Sequence, residues 1–73
     1  MTRTEKAFNK KLGLALKKAR SKKGLSQIEL SRKTKIRQGY LSGIESGKVR
    51  TSYFLVHKIL KAMNLKEFPY AKS

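Results

Sequence analysis

The chain has 73 residues, with 19 Lys and Arg against four acidic residues, all of them glutamate, for a net charge of +15. That length fits one small domain and not two. With no cysteine and no Cys/His cluster, neither a disulfide nor a structural metal is expected to staple it. No apolar run approaches the ~20 residues of a membrane span, and the start lacks a signal peptide's apolar core, so a cytoplasmic protein is expected. An excess of positive charge this large repels itself in a compact monomer, which favours a polyanionic partner over a merely soluble basic surface.

Residues 1–11 are read as the basic start of a first helix, 12–65 as the body of the domain and 66–73 as a tail. Thr2 and Glu5 have capping-box spacing, so the helix starts there or slightly later and runs to about Lys23. Phe8, Leu12, Ala15, Leu16 and Ala19 share one stripe at helical spacing, with Arg20 at its edge. Lys10, Lys17 and Lys18 lie off that stripe, and Leu14 falls on the exposed far face. Gly24 is expected to close the helix in the left-handed conformation.

"SQIE", Ser26 to Glu29, is a second capping box, opening a short helix that ends near Thr34. Leu25, Ile28 and Leu30 are its apolar contributions. A third helix is predicted over "QGYLSGIESG". Tyr40, Leu41 and Ile44 form its apolar stripe, and Gln38, Gly39, Ser42, Gly43 and Ser46 share the opposite face. Gly47 stops it. A fourth helix starts at Thr51 or Ser52 and ends before Asn64, with Leu55, Val56, Ile59, Leu60 and Met63 as its stripe and Phe54 pointing away. Pro69 breaks the tail. No segment alternates like a strand, so the fold class is all-α, a compact domain of four to five helices.

The third helix poses the functional question. An interior helical glycine costs roughly 1 kcal/mol relative to alanine, and this helix carries both Gly39 and Gly43. Its outer face is polar, small and uncharged in a chain otherwise crowded with lysine. Small residues let a backbone approach something closely, and a major groove about 12 Å wide admits one α-helix. Gln38 can bond adenine bidentately there, and Ser42 can bond several base edges.

Residues 12–65 resemble the helix-turn-helix domain of the lambda-repressor and Cro family. The resemblance runs through Leu12-Gly13, Leu16 and Arg20, then "GLSQIEL", then "YLSGIESGK" and the apolar fourth helix. It implies that the second and third helices form the DNA-reading unit, with the third as recognition helix. It further implies that Gln27 clamps a phosphate at the edge of a half-site. Arg37, Gln38, Gly39 and Ser42 would face bases and flanking phosphates, and Lys48 and Arg50 would contact the backbone. Tyr40 reaches a phosphate from the flank of its stripe or packs into the core. Arg20 and Glu45 are implied to pair across the first and third helices as a structural unit. Three positions depart from the pattern: Lys35 stands where glycine is usual in the turn, Arg37 where Ser or Thr caps the recognition helix, and Ser31 where alanine is common between the two helices.

Other chemistries are excluded. Gly39 to Gly43 has the spacing of a membrane dimer motif, but in a polar setting. "GIESGKV" is one residue short of a phosphate-binding loop and has Val49 in place of its hydroxyl residue. His57 has no metal partners at ligand spacing, no cofactor is implied, and too few glutamates remain for acid–base catalysis, so no enzyme is expected. The leading reading is a dimeric, sequence-specific regulator of double-stranded DNA with inverted-repeat operators, since one helix reads only a few base pairs. With 73 residues, no ligand-sensing domain is expected beside it. A phage-type repressor, a restriction–modification controller (which "YLSGIE" resembles) and a toxin-binding antitoxin (which "SYFLVHKILKAMNL" resembles) all remain open. The alternatives are a non-specific nucleic-acid binder and a helical adaptor for an acidic protein. Phe54, Phe68 and Tyr70 are candidate protein-interface residues, with folding back onto the core as the other reading for Phe68 and Tyr70.

Overall fold

The computed structural model describes residues 2–65. Four helices follow one another: α1 (Arg3–Lys22), α2 (Gln27–Thr34), α3 (Gln38–Ser46) and α4 (Tyr53–Ala62). Their ends follow from local chemistry. Thr2 and Ser26 both form full capping boxes, each hydroxyl accepting the N–H of Glu5 or Glu29 while that glutamate accepts the cap's own N–H. Ser52 caps α4 by accepting the Leu55 N–H at 3.1 Å. At the other ends, Gly24, Gly47 and Asn64 take left-handed backbone, with φ of 71°, 76° and 60°. In each case the following N–H reaches back to a carbonyl five residues earlier: Leu25 to Arg20, Lys48 to Gly43 and Leu65 to Leu60. That closure satisfies carbonyls a helix end otherwise orphans.

The core joins all four helices. Leu12 and Leu16 of α1, Leu30 of α2, Leu41 and Ile44 of α3, and Val56, Ile59 and Leu60 of α4 are buried, together with Met63. Ile36, in the turn between α2 and α3, is buried with them, although it lies outside every helical stripe. Three apolar expectations are corrected. Phe8 is 53% exposed; the next residue, Asn9, is buried instead, one turn from Gly13, so the buried face of α1 is rotated away from Phe8 here. Ile28 is 49% exposed; two residues from Leu30 on a helix, it faces the opposite way, and α2 instead buries Leu30 and Thr34 at i, i+4 spacing. Tyr40 lies outside the core stripe, which α3 builds from Leu41, Ile44 and Glu45. Leu14 and Phe54 are exposed as expected.

α1 and α3 meet backbone to backbone. A β-carbon on Gly13 would lie 2.2 Å from the Ile44 carbonyl oxygen and 2.6 Å from that of Glu45. One on Gly47 would lie 2.6 Å from Cα of Lys10. Gly13 within α1 and Gly47 just past the end of α3 thus set how tightly α1 lies over the last turn of α3.

The turn between α2 and α3 is wired by buried polar groups. The Thr34 hydroxyl donates to the Leu30 carbonyl at 2.8 Å and accepts the Ile36 N–H at 3.2 Å, while the Ser31 hydroxyl donates to the Ile36 carbonyl. Between them Lys35 adopts φ 63°, the left-handed region that suits glycine and disfavours a side chain. The turn therefore keeps its geometry at the expense of local strain. Lys35→Gly is expected to raise stability by about 1 kcal/mol, read as a higher midpoint in denaturant titration; an unchanged or lower midpoint would show that Lys35 carries no strain.

Candidate nucleic-acid interface

α3 presents two different faces. Leu41, Ile44 and Glu45 are buried, while Gln38, Gly39, Tyr40, Ser42 and Ser46 are exposed. The exposed face carries no charged side chain until Arg37 at its start. The two interior glycines have separate reasons. Nothing lies within 4 Å of where a β-carbon on Gly39 would stand, so no internal packing calls for glycine there. At Gly43 that β-carbon would meet the Val49 methyls at 3.0 and 3.1 Å. Gly43 therefore makes room for the loop that follows α3, which corrects its assignment to the outer face alone.

Arg37 is the N-cap of α3 and gives no side-chain cap hydrogen bond. The first-turn N–H groups are left without an acceptor from the cap, and the positive end of the helix dipole meets a guanidinium. Both favour an anion at this point.

Gln27, the first residue of α2, is half-buried, and its amide donates to Oε1 of Glu45 at 3.0 Å. The same carboxylate takes Arg20: Nε donates to Oε2 at 2.7 Å and Nη2 to Oε1 at 3.1 Å. Nη1 of Arg20 donates to the Leu25 carbonyl at 2.7 Å. Glu45 thus ties α1, the start of α2 and α3 into one network, with side-chain exposures of only 11% for Arg20 and 4% for Glu45. The pair joins the two helices that the resemblance implied.

Two further residues expected to touch DNA, besides Gln27, have partners within the chain. The Tyr40 hydroxyl donates to the Arg50 carbonyl at 2.8 Å. The Arg50 guanidinium meets Glu5 Oε2 of α1 at 3.0 Å, both side chains well exposed. The Glu5 carboxyl is held below its usual range, chiefly by the Thr2 backbone N–H and further by Arg50. This link from α3 through the following loop to α1 had no signal in the sequence, since it joins positions 5, 40 and 50. Lys48, in the same loop, is exposed. Among the described residues no group of His, Asp and Glu is placed to hold a metal ion, and no helix is long and apolar enough to cross a membrane.

A model of the helix-turn-helix family matches residues 16–69. The chain is a helix-turn-helix protein of the lambda-repressor-like type. No curated protein matches it as a relative, so its family rests on that match and on the fold. Helix-turn-helix proteins of this kind are DNA-binding transcription regulators. In this helix-turn-helix unit α2 and α3 are the paired helices, and residues 35–37 are the turn between them.

Proposed function

We propose that the protein is a cytoplasmic, sequence-specific regulator that reads double-stranded DNA through α3 and acts as a homodimer on inverted repeats. The observation that carries this is the open space at Gly39 within an uncharged, exposed face, in a chain of net charge +15. A protein that only neutralised phosphates would spread lysine and arginine across that face. Gln38 and Ser42 are the base-reading side chains. Arg37 and the first-turn amides of α3 hold a phosphate at one edge, and Gln27 does so at the other, steadied by Glu45. Lys48 and Arg50 contact the backbone, Arg50 exchanging Glu5 for phosphate, and Tyr40 holds their loop against α3.

The dimer follows from the small number of base pairs one helix can read. Phe54, 70% exposed beside Tyr53 at the start of α4, is its candidate apolar contact. Phe68 and Tyr70, named with it as interface candidates, lie outside the described residues. Repression of the protein's own operon, as the antitoxin of a toxin–antitoxin pair or as a controller, is the regulatory role we favour. The neighbouring genes distinguish these.

Two substitutions test base reading. Gln38→Ala is expected to weaken binding to the preferred duplex by about 1–3 kcal/mol, roughly fivefold to 150-fold, and to relax preference at one base pair. Gly39→Leu is expected to keep or slightly raise thermal stability, since its side chain meets nothing in the fold, while lowering preferred-site affinity by roughly tenfold or more. Both are read by fluorescence anisotropy on matched and scrambled duplexes. Equal losses on both duplexes would favour the non-specific nucleic-acid binder.

A further inference from the structure

We propose that the outer face of α1 is a docking groove for an acidic amphipathic helix of another protein. A groove runs along this face with Leu14, Ala15, Ala19 and Leu65 as its apolar floor. Five lysines line it, among them Lys11, Lys18 and Lys22. None of its lining residues comes from α2 or α3, so it stays open when the helix-turn-helix unit is occupied. Lys11, Leu14, Ala15, Lys18 and Lys22 recur at helical spacing, on the side of α1 opposite Gly13 and hence opposite the α3 crossing.

Charge identifies the occupant. A face whose exposed leucine is surrounded by lysines calls for a ligand that is apolar along a ridge and anionic on its flanks. The chain itself holds few carboxylates for the purpose. Glu5 and Glu29 are engaged in capping boxes, Glu45 is bound to Arg20 and Gln27, and Glu67 is the remaining acidic residue. A second copy would set the same lysines against each other. DNA would neutralise the lysines but leave Leu14, 50% exposed, in water. An acidic amphipathic helix meets both demands: leucines or isoleucines on the floor, and glutamates or aspartates against the lysine rim. Such a partner would reach the regulator without displacing its DNA.

The test is a titration of the full chain, at about 150 mM salt, into a dye-labelled helical peptide. The peptide carries leucines at i, i+3, i+4 and i+7 with glutamates on both flanks, and a scrambled peptide of the same composition serves as control. The ordered peptide is expected to bind at least about tenfold tighter than the scrambled one and to stay bound under saturating duplex DNA. Leu14→Ser is expected to lower its affinity about tenfold with helicity intact by circular dichroism, and Lys18→Glu likewise. Equal binding of the two peptides would overturn the proposal in favour of bare charge attraction. Displacement by duplex would assign the groove to DNA. Tighter peptide binding by a Phe68→Ser, Tyr70→Ser variant would assign it to the chain's own C-terminal residues.

Discussion

Glu45→Ala is expected to destabilise the protein by roughly 3–5 kcal/mol, because it strands the Arg20 guanidinium in a site that is largely shut off from water. The guanidinium keeps only the Leu25 carbonyl, and the Gln27 amide loses its acceptor as well. A chain of 73 residues has roughly 4–11 kcal/mol to lose at about 0.05–0.15 kcal/mol per residue. The variant should therefore sit near its unfolding threshold and lose DNA binding chiefly for that reason. Thermal denaturation followed by circular dichroism reads the effect; at about 4–8 °C per kcal/mol the midpoint should fall by at least ~12 °C. The paired replacement Arg20→Met, Glu45→Leu should recover much of the loss, since the cost lies in an unpaired charge and not in the missing attraction. A single variant that melts with the wild type would contradict the network.

Gly13→Val should be nearly as damaging for a steric reason. Its first added carbon would stand 2.2 Å from the Ile44 carbonyl oxygen, and the obstruction is backbone that no rotamer change can clear. Overpacking of a core costs typically 1–3 kcal/mol, and here α1 must lift off α3, so about 3 kcal/mol is expected. Gly39→Ala provides the contrast. It adds a carbon to a helical glycine with nothing within 4 Å, and should stabilise by up to about 1 kcal/mol. Urea titration of the two variants should move the midpoint in opposite directions. A shift of the same sign in both would mean that the α1–α3 crossing is looser than its backbone contact implies.

What was legible in the sequence was local. The capping boxes at Thr2 and Ser26, the stops at Gly24, Gly47 and Asn64, and the start of α4 after Ser52 all depend on residues within one turn of each other. Exposure at Leu14 and Phe54 followed from helical spacing alone. Long-range contacts were not legible. Gly13 reads as an ordinary helix glycine until Ile44 is found above it, and Gly43 reads as part of an open face until Val49 is found behind it. Spacing puts Phe8 on one stripe with Leu12, whereas the backbone contact at Gly13 turns the buried face towards Asn9. Ile28 and Leu30 stand two residues apart, so one helix face cannot bury both, and Leu30 takes the core. At the interface, the small uncharged face of α3 was visible in "QGYLSGIES", whereas the Tyr40–Arg50–Glu5 link and the Gln27–Glu45 bond join segments that only the fold brings together. The Arg20–Glu45 pair came from family resemblance, since nothing in its spacing announces it.

The most direct measurement is selection of bound duplexes from a random DNA pool at about 150 mM salt, where charge attraction is screened beyond ~8 Å. An enriched inverted repeat, with half-site centres about one helical turn apart or a multiple of it, is the expected result and would establish base reading by paired recognition helices. If no sequence is enriched while binding still collapses steeply with added salt, the open face at Gly39 does not serve base recognition, and the protein binds nucleic acid by charge alone.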